Sequence, residues 1–214
     1  MSKKKSRPAR RDKRGPKTAP PPRIDRREWF TRFARGVALW LFPVAAVWLL
    51  ITPSYNFILT ESAESLVRLT ENPSATNLGF EPEHHFLITR SDLPASRGAL
   101  SSVRVTDIHF PLIMLGAFFL AVPAIPWRIR LENLGWALLA AVFFHIVLAF
   151  FWVKFTYATQ LDSWSAQHYS VFAQNFWGLG KHLLDLPFKF SLPFLLWAFF
   201  YLREILPPRS TDTA

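Results

Sequence analysis

Seven side chains in this sequence are of types that could carry chemistry at a membrane: Asp107, His109, His145, Lys154, His168, His182 and Asp185. His145 is the strongly polar residue set well inside an apolar run, eight residues before Val153 and so ~12 Å from that end by helical rise. An ionisable group at such depth can relay a proton or hold a substrate. The alternative is a neutral imidazole hydrogen-bonded across a helix bundle. Lys154 follows nine residues later, about 180° round a helix, so the two should not share a face. No acidic residue is expected inside a span to complete a relay.

The other six, with Arg104, Tyr157 and Lys181, are expected on one rim of the membrane. His182 and Asp185 stand at i and i+3, neighbours on a helical turn. Acid, base and cation together could serve a hydrolase or transferase. They could equally form a collar of interfacial ion pairs or a docking face. No Ser or Asp stands beside a His in a nucleophile–base pattern. His84 and His85 are adjacent, so on a strand they point apart and make a poor metal chelate. The sequence has no nucleotide loop, no paired zinc histidines and no Gly-x-Ser-x-Gly elbow. It has no Cys, which excludes disulfides, thiolate zinc and a Cys nucleophile. No catalytic residue, metal or cofactor is therefore expected, and the chain is not expected to be an enzyme.

Two apolar runs, 108–127 and 133–153, must position these groups. Neither contains Asp, Glu, Lys or Arg, and each is about the ~20 residues a helix needs to cross ~30 Å of hydrocarbon. The expected fold is an all-α polytopic membrane bundle of four transmembrane helices. It carries a small extracytoplasmic α+β insert and a disordered basic N-terminal tail. In order, 1–28 is the tail, 29–36 an interfacial lead-in, 37–53 the first span and 54–107 the insert. The second span is 108–127 and the third 133–156. Residues 161–185 form an outer interfacial helix broken at Gly178 and Gly180. The fourth span is 187–203, with Lys189 snorkelling outward, and 204–214 is a cytoplasmic tail. Within the insert, 55–69 has helical spacing, and 86–90 with 101–106 read as a hairpin. Two strands alone are marginal in water. They must therefore pack on the bundle, on 55–69 or on a partner.

The formal charge of +10 is uneven: residues 1–35 hold 14 Lys/Arg against 3 Asp/Glu, and the remainder 11 against 12. Arg26, Arg27, Arg32 and Arg35 precede the first span, and Arg128 and Arg130 sit in the short loop after the second. These residues should contact lipid headgroups and hold both termini in the cytoplasm. The expected partners are membrane lipids and a polytopic membrane protein. Nucleic acid is not expected, although residues 3–17 are basic enough for a tail that binds it.

The order of elements and the Pro-bounded helix ends (Phe110-Pro111-Leu112, Leu120-Ala121-Val122-Pro123, Asp185-Leu186-Pro187) resemble the small membrane proteins associated with exosortase H. Those proteins accompany a polytopic, Cys-protease-like sorting enzyme of bacterial envelopes. The resemblance spans 37–206. It implies an accessory or assembly role in an inner membrane facing a periplasm. It cannot make this chain the enzyme, because the enzymes use a Cys. The alternative, from another class, is a subunit of a membrane enzyme or transporter that uses His145 and the outer polar cluster.

Overall fold

The computed structural model describes residues 26–205 except 73, 82–84, 94–100 and 105–107. Asp107 lies outside the described residues, as do the basic tail, His84 and the chain beyond Ile205.

Helix α1 runs without interruption from Arg26 to Leu69, 44 residues that include Pro43 and Pro53. The expected lead-in, first span and separate 55–69 helix are thus one element. Pro removes one backbone donor but also fixes a helical φ, so it need not end a helix. Here the helix is held from the side: Thr52, Tyr55, Asn56, Leu59, Thr60, Ala63 and Val67 are buried at three- and four-residue spacing. The later part of that stripe, from Leu59 to Val67, faces a three-stranded antiparallel sheet of β1 (Thr76–Glu81), β2 (His85–Arg90) and β3 (Ser101–Arg104), in that order. The expected hairpin is present, with Phe86 opposite Val103. β1 is an addition, pairing Leu78 with Ile88. Gly79 and Asn77 weaken its strand signal in the sequence. Leu78, Phe86 and Ile88 are buried in the same core as Leu59, Ala63 and Val67, so the insert packs on its own chain.

The expected second span is cut short. Helix α2 covers Pro111–Ala121, 11 residues and so ~16 Å, about half the hydrocarbon thickness. Pro123 and Pro126 follow, and Ala124 between them takes a left-handed backbone with φ 66°. Composition alone passed this stretch as a span, because prolines carry no charge. Arg130 closes the broken end. Its Nη1 donates to the Leu120 carbonyl at 2.7 Å and its Nε to the Ile125 carbonyl at 2.8 Å. The last carbonyls of a helix need such partners. The expected short loop is absent: Arg128 and Arg130 lie in the first turn of the helix that starts at Trp127. Arg130 is a cap on α2, while Arg26, Arg27, Arg32, Arg35 and Arg128 are exposed.

α2 is almost wholly buried, packed between α1, α3 (Trp127–Thr159) and the last helix. Small residues permit this. A Cβ on Gly116 would sit 2.8 Å from Val44 Cγ1, and one on Gly36 would sit 3.1 Å from Ala121 Cβ. Close backbone approach through small residues is a usual means of helix association in lipid, where tails are as apolar as side chains.

After α3 come a short helix α4 (Ser163–His168) and then α5 (Val171–Leu183), a π-helical turn (Leu184–Phe188) and α6 (Lys189–Ile205) in continuous succession. The expected outer interfacial helix is thus two pieces, and neither Gly178 nor Gly180 breaks the second. Both glycines instead face the aromatic wall of α3. A Cβ on Gly178 would meet Phe155, and one on Gly180 would fall only 2.3 Å from Phe151. The expected fourth span is only the far half of this stretch. Among the described residues, three helical stretches are long and apolar enough to cross a membrane: Arg26–Leu69, Trp127–Thr159 and Val171–Leu202.

Candidate functional site

The polar side chains inside this bundle gather at two levels. The deeper one joins α1, the start of α2 and α3. Tyr55 stands seven residues, or two turns, from Trp48, so both lie on one face of α1. The Trp48 indole donates to His109 Nδ1 at 3.0 Å, and the Tyr55 hydroxyl is 2.6 Å from His145 Nδ1. The Tyr55 ring meets both imidazoles edge-on, at 5.5 and 6.1 Å. His145 has no exposed surface, and its Nε2 finds no hydrogen-bond partner among the described residues. An orphaned buried nitrogen costs on the order of 1–3 kcal/mol, so its retention is a pointer to use.

Lys189 opens α6. It does not snorkel. It is buried, and its Nζ pairs with Asp185 Oδ1 at 2.6 Å. The other oxygen of Asp185 is 3.5 Å from Lys181 Nζ, which also lies 3.7 Å over the Trp152 ring. Asp185 thus belongs to two lysines, each four residues away, rather than to His182, whose ring rests edge-on against Phe155. An acidic residue does stand inside a candidate span, contrary to the sequence expectation. The ion triad brackets the π-helical turn, where Pro187 supplies no donor and Lys189 N–H bonds back five residues to Leu184. Such widened turns recur at functional positions in helices.

The second, shallower level is the C-terminal end of α3, the end of α1 and α4. Arg90, at the close of β2, lies between Tyr157 and Trp164, 4.7 Å from each ring centre. Its Nη1 donates to Glu71 at 2.9 Å, and Nε and Nη2 grip both oxygens of Asp92 at 2.9 and 2.8 Å. This fork holds the Asp92 carboxyl below the usual carboxylate range. Glu71 in turn accepts from Thr76 Oγ1 at 2.7 Å, and Thr76 Oγ1 also touches the Tyr157 hydroxyl at 2.7 Å. Burial pushes the Tyr169 phenol up. His168 stacks on Trp164 at 4.2 Å, with Nδ1 2.8 Å from the Trp164 carbonyl. Lys154 is buried beside them, and no hydrogen bond or ion pair joins it to a described residue.

The expected single rim therefore divides. His168 and Lys154 share the shallow site, His109 joins His145 in the deep one, and Asp185 sits in the helix ladder apart from His182. Trp48, Tyr55, Glu71 and Arg90 were not singled out from the sequence. The first two carried a signal in their two-turn spacing. Arg90 and Glu71 carried none, because they are 19 residues apart and meet only through the sheet. No group of three or more potential metal ligands forms among the described residues. Comparison with protein-family models, with curated proteins and with solved structures gave no match, so the chain's fold and its two polar levels stand on their own geometry.

Proposed function

We propose that this chain is an integral protein of a bacterial inner membrane with four passes and cytoplasmic termini. It acts without chemistry of its own as an accessory or assembly partner of an envelope system, of the exosortase protein-sorting kind. The short α2 and its proline turn would count as the second, incomplete pass. The observation that carries the reading is the length of α1. Its 44 residues rise ~66 Å, more than twice the hydrocarbon thickness, so the helix leaves the membrane as the rigid spine of the outer cap. On the side away from the sheet it exposes Phe57, Ile58 and Leu69. Exposed apolar side chains on a helix that continues from a membrane span suit a partner that is itself a membrane protein.

The test is co-expression with an exosortase from the same source, followed by purification in mild detergent. A stoichiometric complex is expected. Replacing Phe57, Ile58 and Leu69 by serine should reduce recovery of the enzyme at least tenfold with the melting temperature unchanged. A monodisperse chain that purifies alone would sink the reading.

The deep cluster favours a second reading, a subunit of a membrane enzyme or transporter that moves a proton or substrate through His145. The orphaned Nε2 supports it. Under that reading, His145→Asn abolishes the activity of the assembled system while co-purification and abundance stay normal. Under the first reading the same substitution leaves that activity within about twofold.

A further inference from the structure

At the shallow level the protein forms an open cavity of about 400 Å³. Its walls come from Thr70-Glu71-Asn72 at the end of α1, Arg90 and Asp92 after β2, Lys154 of α3, and Trp164, His168 and Tyr169 around α4. Most polar atoms on this wall are committed to the protein. Glu71 accepts from Arg90, from Thr76 Oγ1 and from the amides of Ala75 and Thr76. Arg90 is spent on Glu71 and Asp92.

Of the charged groups described on this wall, two retain capacity. Lys154 is only 7% exposed, lines the cavity, and forms no hydrogen bond or ion pair with a described residue. Burying an ammonium without an acceptor is costly, so an acceptor is missing from this wall. Asp92 keeps free lone pairs, and its side chain is 38% exposed. Among the described residues of the wall the formal charges balance, Arg90 and Lys154 against Glu71 and Asp92. A bare anion would face two carboxylates, and a bare cation two basic groups. A ligand carrying both signs faces neither repulsion.

Position narrows the ligand further. Lys154 ends the uncharged run 133–153, so the cavity opens where hydrocarbon gives way to water. Trp164 and Tyr169 on its wall are residue types that favour that boundary.

We infer that this cavity binds a phosphoethanolamine-type zwitterion, with its phosphate on Lys154 Nζ and its ammonium towards Asp92. The group can arrive as a phospholipid headgroup or as the free water-soluble compound.

The full chain, purified in a mild non-ionic detergent, is titrated with three probes and read by native mass spectrometry. The probes are short-chain phosphatidylethanolamine, short-chain phosphatidylglycerol and free phosphoethanolamine. Phosphatidylethanolamine should bind at one site at least tenfold more tightly than phosphatidylglycerol, which has the phosphate without the ammonium. Lys154→Met should weaken that binding at least tenfold, and Lys154→Arg should restore most of it. Asp92→Asn should remove the preference between the two lipids. Melting temperatures of the variants show that each is folded. If free phosphoethanolamine displaces the lipid at equal concentration, the ligand is water-soluble. If it does not, the ligand is a headgroup. Equal binding of the two lipids by the unaltered chain, or unchanged binding by Lys154→Met, overturns the assignment.

Discussion

Arg90→Met should cost about 3–5 kcal/mol and release the sheet from the bundle, the range measured when one partner of a buried ion pair is removed. Arg90 and Glu71 each have side chains under a tenth exposed, and their bond ties β2 to the end of α1. Removing the guanidinium leaves Glu71 charged and buried. It also empties the space between Tyr157 and Trp164, where a cation over two rings contributes about 0.5–2 kcal/mol for each. Asp92 should matter much less, because its pairing is part-exposed and water replaces it cheaply. Thermal unfolding in detergent reads the total. Limited proteolysis reads the location, with new cleavage expected between 70 and 104 and none in α3. Pairing Arg90→Met with Glu71→Gln should recover part of the loss, since the amide carries no charge to strand. If the double variant melts as low as the single, the stacking between the rings outweighs the ion pair.

The sequence made the membrane bundle legible for a simple reason. Solvation by lipid acts on each residue independently, and a long run without charge is visible without knowing any contact. The same locality explains the errors. The expected first span ends at 53, yet packing along residues 52–67 carries α1 straight through Pro53. The expected second span runs on to 127, yet Pro123 and Pro126 follow an α2 that stops well short of a span. Proline marks where a helix can stop, and tertiary packing decides which of those positions is used. The site residues follow the same division. His145 was found because depth within an apolar run is a local property. Its partner Tyr55 is 90 residues away, and Glu71 reaches Arg90 only once the sheet has formed. Lys189 was misplaced because a lysine near a helix end usually reaches water. Here the helix does not begin at Pro187 but at Val171, which moves Lys189 to the middle of a 32-residue stretch.

That middle position underlies the second large effect, expected for Asp185→Leu. The substitution leaves Lys181 and Lys189, both buried, with no carboxylate between them. A loss of about 3–5 kcal/mol is expected, with less folded protein recovered from membranes. Lys189→Met should cost less, because Asp185 keeps Lys181, and Lys181 keeps the Trp152 face at 3.7 Å. Thermal unfolding in detergent orders the two variants, and the reverse order would mean that the Lys181 contact contributes little. The triple replacement Lys181→Met, Asp185→Leu, Lys189→Met separates structure from function. Exchanging a whole buried ion set for apolar residues of similar volume is often neutral or stabilising by 1–4 kcal/mol. A chain that needs the triad only to hold the π-helical turn should therefore fold normally with all three replaced, and should support its partner system as before. If instead the triple variant is stable but the system is silent, the charges are kept for what they do. The ladder and the deep imidazole cluster would then both belong to the working part of the bundle.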